Sequence, residues 1–184
     1  KQGYTIAEKL SSLGAYTTLI SGPTKLPDPN VDKVVHVSSA DEMMFECDKA
    51  LPVNIAICAA AVADYKVMKQ SETKIKKNGS RLDITLEENP DILSRLSKRN
   101  DKRPDLVVGF AAETENLEEN SKIKLEKKGC DWILGNNVSN GQVIGKDTNE
   151  IHFISKSETE NWKQMRKEEV AEKLSHKIVQ HLKS

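Results

Sequence analysis

Short apolar runs of strand length alternate along this chain with longer stretches in which apolar residues recur at helical spacing. The strand-like runs are Ala15–Ile20, Val34–Val37, Asn54–Cys58, Asp105–Phe110 and Asp131–Leu134, each too short to be a helix and bounded by turn residues. Between them, helical patterns cover Tyr4–Leu13, Ala40–Ala50, a segment from Asn89 to about Lys98, a polar stretch from about Glu113 to Lys128, and Lys167 to Leu182. Alternation of this kind predicts an α/β fold with a doubly wound, mostly parallel sheet. Two segments depart from it. Residues 66–86 read as an inserted β-hairpin, with Asn78-Gly79 as its turn and Leu82, Ile84 and Leu86 alternating beyond it. Ile151–Ile154 is a late alternating strand after a long polar loop, Gly135–Asp147.

The central stretch is NIAICAAAVADY, Asn54 to Tyr65. Its apolar run passes into Ala59, Ala60 and Ala61, which leave room for a backbone or a flat ligand, and Asp64 follows just past the strand, where open α/β sheets bind ligands. Tight helix packing for the alanines and a cap role for Asp64 account for the same residues equally well. Glu88-Asn89-Pro90-Asp91 is a helix start in which Asn89 can cap, Pro90 fits the first position and Asp91 faces the positive end of the dipole. Gly109, Ala111 and Ala112 stand at a second strand-to-helix turn, and Gly129 ends the helix that follows. Lys124 and Lys128 lie four residues apart on that helix and could reach one polyanion, or simply serve its C-terminal dipole. Lys74, Lys76 and Lys77 stand on the hairpin, where they could contact an anion or merely deter edge pairing. Met43 and Met44 read as core.

Charge and cysteine content narrow the classes. Lys plus Arg and Asp plus Glu both number 28 in 184 residues, so the net charge is zero and no global field favours nucleic acid or an acidic membrane. The three cysteines form no CxxC pair, which suits free thiols in a reducing cytoplasm. No apolar run reaches the length of a membrane span, and the length suits one domain, 1–184.

The strings CAAAVADY, KIKK, ENPDIL, VVGFAAET, KLEKKGCD and GNNVS occur in one order over almost the whole chain. In this it closely resembles bacterial phosphopantothenoylcysteine synthetase, the second half of the bifunctional coenzyme A biosynthesis protein that also carries phosphopantothenoylcysteine decarboxylase. The resemblance implies a Rossmann-like fold and a ligase that joins 4′-phosphopantothenate to L-cysteine with CTP through an acyl-cytidylate, assisted by Mg²⁺ and without flavin in this part. It implies a nucleotide site of Ala59, Ala60, Ala61 and Asp64, with Asn89, Pro90, Asp91 and Ile92, and then Phe110, Lys124 and Lys128. Lys74 matches the flap lysine associated with forming the intermediate. A cytoplasmic homodimer is implied, with flap strands in the interface and the decarboxylase fused upstream.

Two departures from the family pattern accompany the match. The family's Gly-rich strand and loop, with an asparagine before a Ser-Ser-Gly-Lys segment, would precede Lys1, and Lys1-Gln2-Gly3 resembles its tail. Val143-Ile144-Gly145-Lys146-Asp147 replaces the usual Phe and Ser-Asp of the late loop. An ATP-using homologue of the ligase and a non-catalytic nucleotide-binding domain remain rivals. A dinucleotide oxidoreductase lacks support, because no GxGxxG follows a strand.

Overall fold

The structure is a computed structural model that describes residues 1–69, 71, 73–76, 79, 81–113, 115–137 and 148–183. Its central sheet comprises five strands, β3 (Ile55–Cys58), β6 (Leu106–Glu113), β7 (Trp132–Asn137), β8 (Thr148–Ser155) and β9 (Thr159–Arg166), hydrogen-bonded in the order β3-β6-β7-β8-β9. The first three run parallel and the last two add antiparallel pairs. Beside them stands a parallel pair, β1 (Thr18–Ser21) and β2 (Lys33–His36), and a two-stranded antiparallel ribbon, β4 (Tyr65–Val67) with β5 (Leu86–Glu88). The helices are α1 (Gln2–Ser12), α2 (Ala40–Ala50), α3 (Ile92–Ser97), α4 (Leu117–Lys128) and α5 (Lys167–His181). This is the α/β, Rossmann-like arrangement that the alternating pattern predicts.

Strand alternation divides the core between the two faces of the sheet. On one face Leu106, Val108, Trp132, Leu134, Ile151 and Phe153 pack against α1 and α5 through Ile6, Val170, Leu174 and Ile178. On the other, Val107, Ala111, Ile133 and Ile154 meet Leu125 of α4 and Leu93 of α3. A third cluster joins the β1–β2 pair to β3 through Met43 and Met44 of α2 and Ile92 and Leu96 of α3, so the methionines are core as expected. All three cysteines are free.

Local signals account for the helix positions. Ser39 caps α2 by accepting the Glu42 amide at 3.1 Å, and the Glu42 carboxylate in return accepts the Ser38 amide at 2.7 Å. Gly129, at φ 73°, ends α4 in the left-handed region open to glycine. At Gly109 a Cβ would lie 2.6 Å from Leu93 and 2.8 Å from Ile133, so only a glycine lets α3 approach the sheet this closely.

Several boundaries differ from the sequence reading. β6 continues through Ala111 and Ala112 to Glu113, and the expected turn there is strand; α4 accordingly begins at Leu117. Pairing with β7 as far as Glu113↔Asn137 supplies backbone partners that outweigh the weak strand propensity of alanine. Gly135, expected in a loop, lies inside β7 for the same reason. β9 has no counterpart in the sequence reading. Trp162 is its one buried residue, stacked on Phe153 at 5.7 Å, with Glu160 and Met165 half-buried and the remaining positions exposed, because the strand closes the sheet.

The expected hairpin is present in a different register. Its ladder pairs Tyr65 with Glu88, Lys66 with Glu87 and Val67 with Leu86, followed by a Met68 amide bond to the Thr85 carbonyl at 3.0 Å. Leu82 and Ile84 are exposed and lie outside any strand. Asn78 of the expected turn, Lys77, and residues 138–147 with the Val143–Asp147 segment lie outside the described residues.

Candidate functional site

The carboxyl ends of β3, β6 and β7 share one edge of the sheet because the three strands are parallel, and the predicted site residues gather along part of it. Ala59 to Ala61 continue from β3, with Ala59 half-buried and Ala60 and Ala61 exposed. The start of α1 comes up beside them: a Cβ on Gly3 would stand 3.4 Å from that of Ala59. Asp64 is exposed a short way on.

Asn89 ties this strand end to α3. Its side-chain amide donates to the Ala63 carbonyl at 2.9 Å and its backbone N–H to the Asp64 carbonyl at 2.8 Å. It therefore does not cap the helix as the sequence suggests. Asp91 does, accepting the Ser94 amide at 3.0 Å. The physical reason lies in a competing partner: the strand end presents two carbonyls that need donors, and Asn89 alone stands opposite them. Pro90 precedes the cap, half-buried. Ile92 is buried in the core with Met43 and Leu96, so its side chain serves packing.

Lys128 brings α4 to the same place. Its ammonium pairs with the Asp91 carboxylate, in a contact that leaves Asp91 exposed and Lys128 half-buried. Burial raises the Asp91 pKa, but the Lys128 ammonium and the Ser94 amide outweigh it and hold the carboxyl below its ordinary range. Lys124 sits half-buried one turn earlier. The Lys98 ammonium donates to the Lys127 carbonyl at 2.8 Å, so part of the C-terminal charge requirement of α4 is met by α3.

Phe110 does not join this group. It shares a face with Val108 and packs toward α1 and α5, whereas α4 covers the opposite face. Lys74 is exposed beyond the ribbon, clear of the strand end in sequence and in hydrogen bonding among the described residues.

Three amides lie near the end of β7 that the sequence reading passed over. Asn149 donates to the Gln2 side-chain oxygen at 3.3 Å, and Gln2 donates to the Lys167 carbonyl at 3.3 Å. Asn136 and Asn149 each keep a buried carbonyl oxygen without a hydrogen-bond partner among the described residues. Two adjacent asparagines at a strand end, Asn136 and Asn137, were the signal available. Lys66, read only as the beginning of a hairpin, forms ion pairs with Asp41 of α2 and, at 3.7 Å, with Glu87 across the ribbon.

Among the described residues no group of three His, Cys, Asp or Glu side chains converges to hold a metal ion, and no helix is long and apolar enough to cross a membrane. The arrangement thus offers small residues, the exposed carboxylates of Asp64 and Asp91, and lysines around an open strand end.

Residues 1–182 match the family model described as the DNA/pantothenate metabolism flavoprotein C-terminal domain. The chain is 39% identical over 181 residues to the coenzyme A biosynthesis bifunctional protein CoaBC of Haemophilus influenzae, which covers 98% of this chain and 45% of the relative. The chain therefore spans less than half the length of that curated relative. A crystal structure of the C-terminal domain of a protein of the same name superposes with a TM-score of 0.80 at 33% identity, over 99% of this chain and 82% of the other. A Cab2 mutant in complex with phosphopantothenate-cysteine has a TM-score of 0.73 at 15% identity, over 100% of this chain and 80% of that one, a likeness of fold.

Proposed function

The chain belongs to the DNA/pantothenate metabolism flavoprotein C-terminal domain family, the phosphopantothenoylcysteine synthetase half of such proteins, and from that premise we propose that it is a CTP-dependent phosphopantothenate–cysteine ligase of coenzyme A biosynthesis. The observation that carries the reading is the union, at one strand end, of Ala59 to Asp64, Asn89 and the Asp91–Lys128 pair. Those are segments that the family resemblance assigns separately to the nucleotide.

In the first step a carboxylate oxygen of 4′-phosphopantothenate attacks the α-phosphorus of CTP, forming the acyl-cytidylate and releasing pyrophosphate. In the second, the L-cysteine amine attacks the acyl carbon, an amide bond forms, and CMP leaves with the electron pair of the broken acyl–oxygen bond. Two anions meet in the first step, so the protein contributes mainly by positioning and by neutralising charge. Lys124 and Lys128 supply cations to the phosphates, and the exposed Lys74 is the residue that would meet the reacting carboxylate. Ala59, Ala60 and Ala61 leave room for the base, and the backbone around Asn89 and Pro90 offers groups to read it. Phe110, on the other face of the sheet, would contribute through its backbone, which stands just past the carboxyl end of β3.

Mg²⁺ fits this donor set as a companion of the nucleotide. It keeps water and phosphate oxygens as its main ligands, and Asp64 is an exposed carboxylate at the strand end that could complete them. Bound there, it would share the pyrophosphate charge. The protein would work in the cytoplasm as a homodimer, a reading supported by the exposed apolar side chains of Tyr65, Val67 and Leu86 on one face of the ribbon. By the same resemblance a decarboxylase would be fused upstream.

Calorimetric titration with CTP and ATP in the presence of Mg²⁺ tests the reading. Preferential binding of CTP supports it. Preference for ATP would favour an ATP-using homologue, and the absence of binding to either would overturn the assigned nucleotide site.

A further inference from the structure

The ribbon of β4 and β5 has two unlike faces. Tyr65, Val67 and Leu86 point to solvent on one, while Lys66 and Glu87, paired in register, turn to the other. On that side the Lys66 ammonium meets Asp41 in the first turn of α2 as well as Glu87. The hydrogen bond to Asp41, partly offset by desolvation, raises the Lys66 pKa, so the cation is retained across the neutral range. Asp41 is itself well placed. α2 is fixed by the Ser39 cap, by the return bond of Glu42, and by Met43 and Met44 in the core.

Both ends of the ribbon are also stitched at their bases. Asp64, immediately before β4, receives the Asn89 amide, and Asn89 immediately follows β5. These bonds fix where the ribbon leaves the body, but a two-stranded ribbon this short holds itself only marginally and takes its direction from contacts with the body. Lys66 is the only side chain of the ribbon that forms an ion pair with another element among the described residues.

We propose that Lys66 is a positioning residue, which clamps the ribbon to α2 through Asp41 and so sets the direction in which the segment bearing Lys74 leaves the strand end. The functional half of this inference rests on the ligase reading. The structural half does not.

The test compares the parent chain with Lys66→Met, Asp41→Asn and Lys66→Arg. Methionine keeps the length of the stem, and asparagine keeps a polar group in the first turn of α2. Amide exchange of residues 65–68 and 85–88, followed without nucleotide, should accelerate roughly two- to fivefold in Lys66→Met and Asp41→Asn and stay near the parent in Lys66→Arg. Exchange elsewhere in the sheet should be unchanged, and 1 M salt should bring the parent toward the variants. In the CTP-dependent ligation, the first two variants should lose kcat with little change in the KM for CTP. Parent-like exchange in Lys66→Met would overturn the clamp. Faster exchange with unchanged kcat would overturn its positioning role. A parent chain that binds CTP but ligates nothing would count against the ligase reading, while the exchange data would still decide the clamp.

Discussion

Lys128, in the last turn of α4, is paired with Asp91, the residue that caps α3. Each belongs to the proposed nucleotide site, and in the ligand-free chain each neutralises the other. A phosphate bound at Lys128 would have to compete with the Asp91 carboxylate.

That competition has opposite consequences for the two residues. Asp91→Asn, which keeps a side-chain cap, should tighten CTP binding by roughly two- to fivefold, and Lys128→Met should weaken it by a similar factor. Isothermal titration measures both. Equal affinities in the two variants would leave the pair a purely structural contact. The folded Asp91 pKa lies below the ordinary 3.8, so its contribution to stability is present above that pH and is lost as the pH falls through the folded value.

Asn89→Ala removes the donor to the Ala63 carbonyl but keeps the backbone bond to Asp64. A loss of about 1 kcal/mol in urea unfolding is expected, together with weaker CTP binding. Asn89→Asp should be worse than alanine, since it turns a carboxylate toward a carbonyl. Parent-like binding in both would show that the strand end holds its shape without this link.

Gly109→Ala should destabilise the chain by about 1–3 kcal/mol, because the new methyl would overlap Leu93 and Ile133 from opposite sides of one packed layer. The displaced element is α3, so Asp91 and its cap should move too. Urea unfolding measures the first effect, and loss of the Asp91 titration shift by NMR the second.

Glu160 lies among Lys177 at 2.7 Å, the Trp162 indole N–H at 2.7 Å and Lys173 at 3.6 Å. Burial raises its pKa, but hydrogen bonds with Lys177, with Glu158, which Lys177 also pairs at 2.9 Å, and with Trp162 prevail and bring it down to about 2 from 4.5. A depressed carboxyl stabilises above its unfolded pKa and ceases to do so as pH falls toward the folded one. Lys177→Met should therefore lower the urea midpoint at pH 6, with the difference from the parent shrinking between pH 4.5 and about 2. A difference constant with pH would assign the effect to the Lys177–Phe153 ring contact at 4.4 Å instead.

The three thiols should be silent in the native chain. Burial pushes Cys58 up to about 12 and Cys47 and Cys130 up to about 11, so all three are protonated at pH 8. A thiol reagent should find them only after unfolding. Since these pKa values are raised, the associated stability is whole below the ordinary 9.0 and declines as pH rises beyond it. Rapid labelling at pH 8 would refute this.

What was legible in the sequence follows from where the information is local. α2 reads with its structural bounds because Ser39, the acidic first turn and the apolar spacing all act within eleven residues. β9 was not legible: its buried Trp162 and half-buried Glu160 and Met165 make no apolar alternation, and its identity comes from β8 beside it. The extension of β6 through Ala111 and Ala112 likewise comes from its partner strand. At the candidate site, the sequence offered Ala59 to Asp64, Asn89, Asp91 and Lys128 as candidates, and their assignment to a nucleotide came from the family resemblance. The sequence could not reveal that Asn89 turns back to Ala63, that Phe110 faces away from α4, or that Lys66 reaches α2, because each depends on two elements meeting in space.

The outer strands of the sheet carry a consequence for behaviour at high concentration. β9 ends the sheet with Lys163 and Arg166 in water, and β3, at the opposite end, is only four residues long. A second molecule adding a strand at β9 would have to bring its backbone past those cations, and at β3 it would find too short a template. Growth of this five-stranded sheet by strand addition is therefore disfavoured at both of its ends.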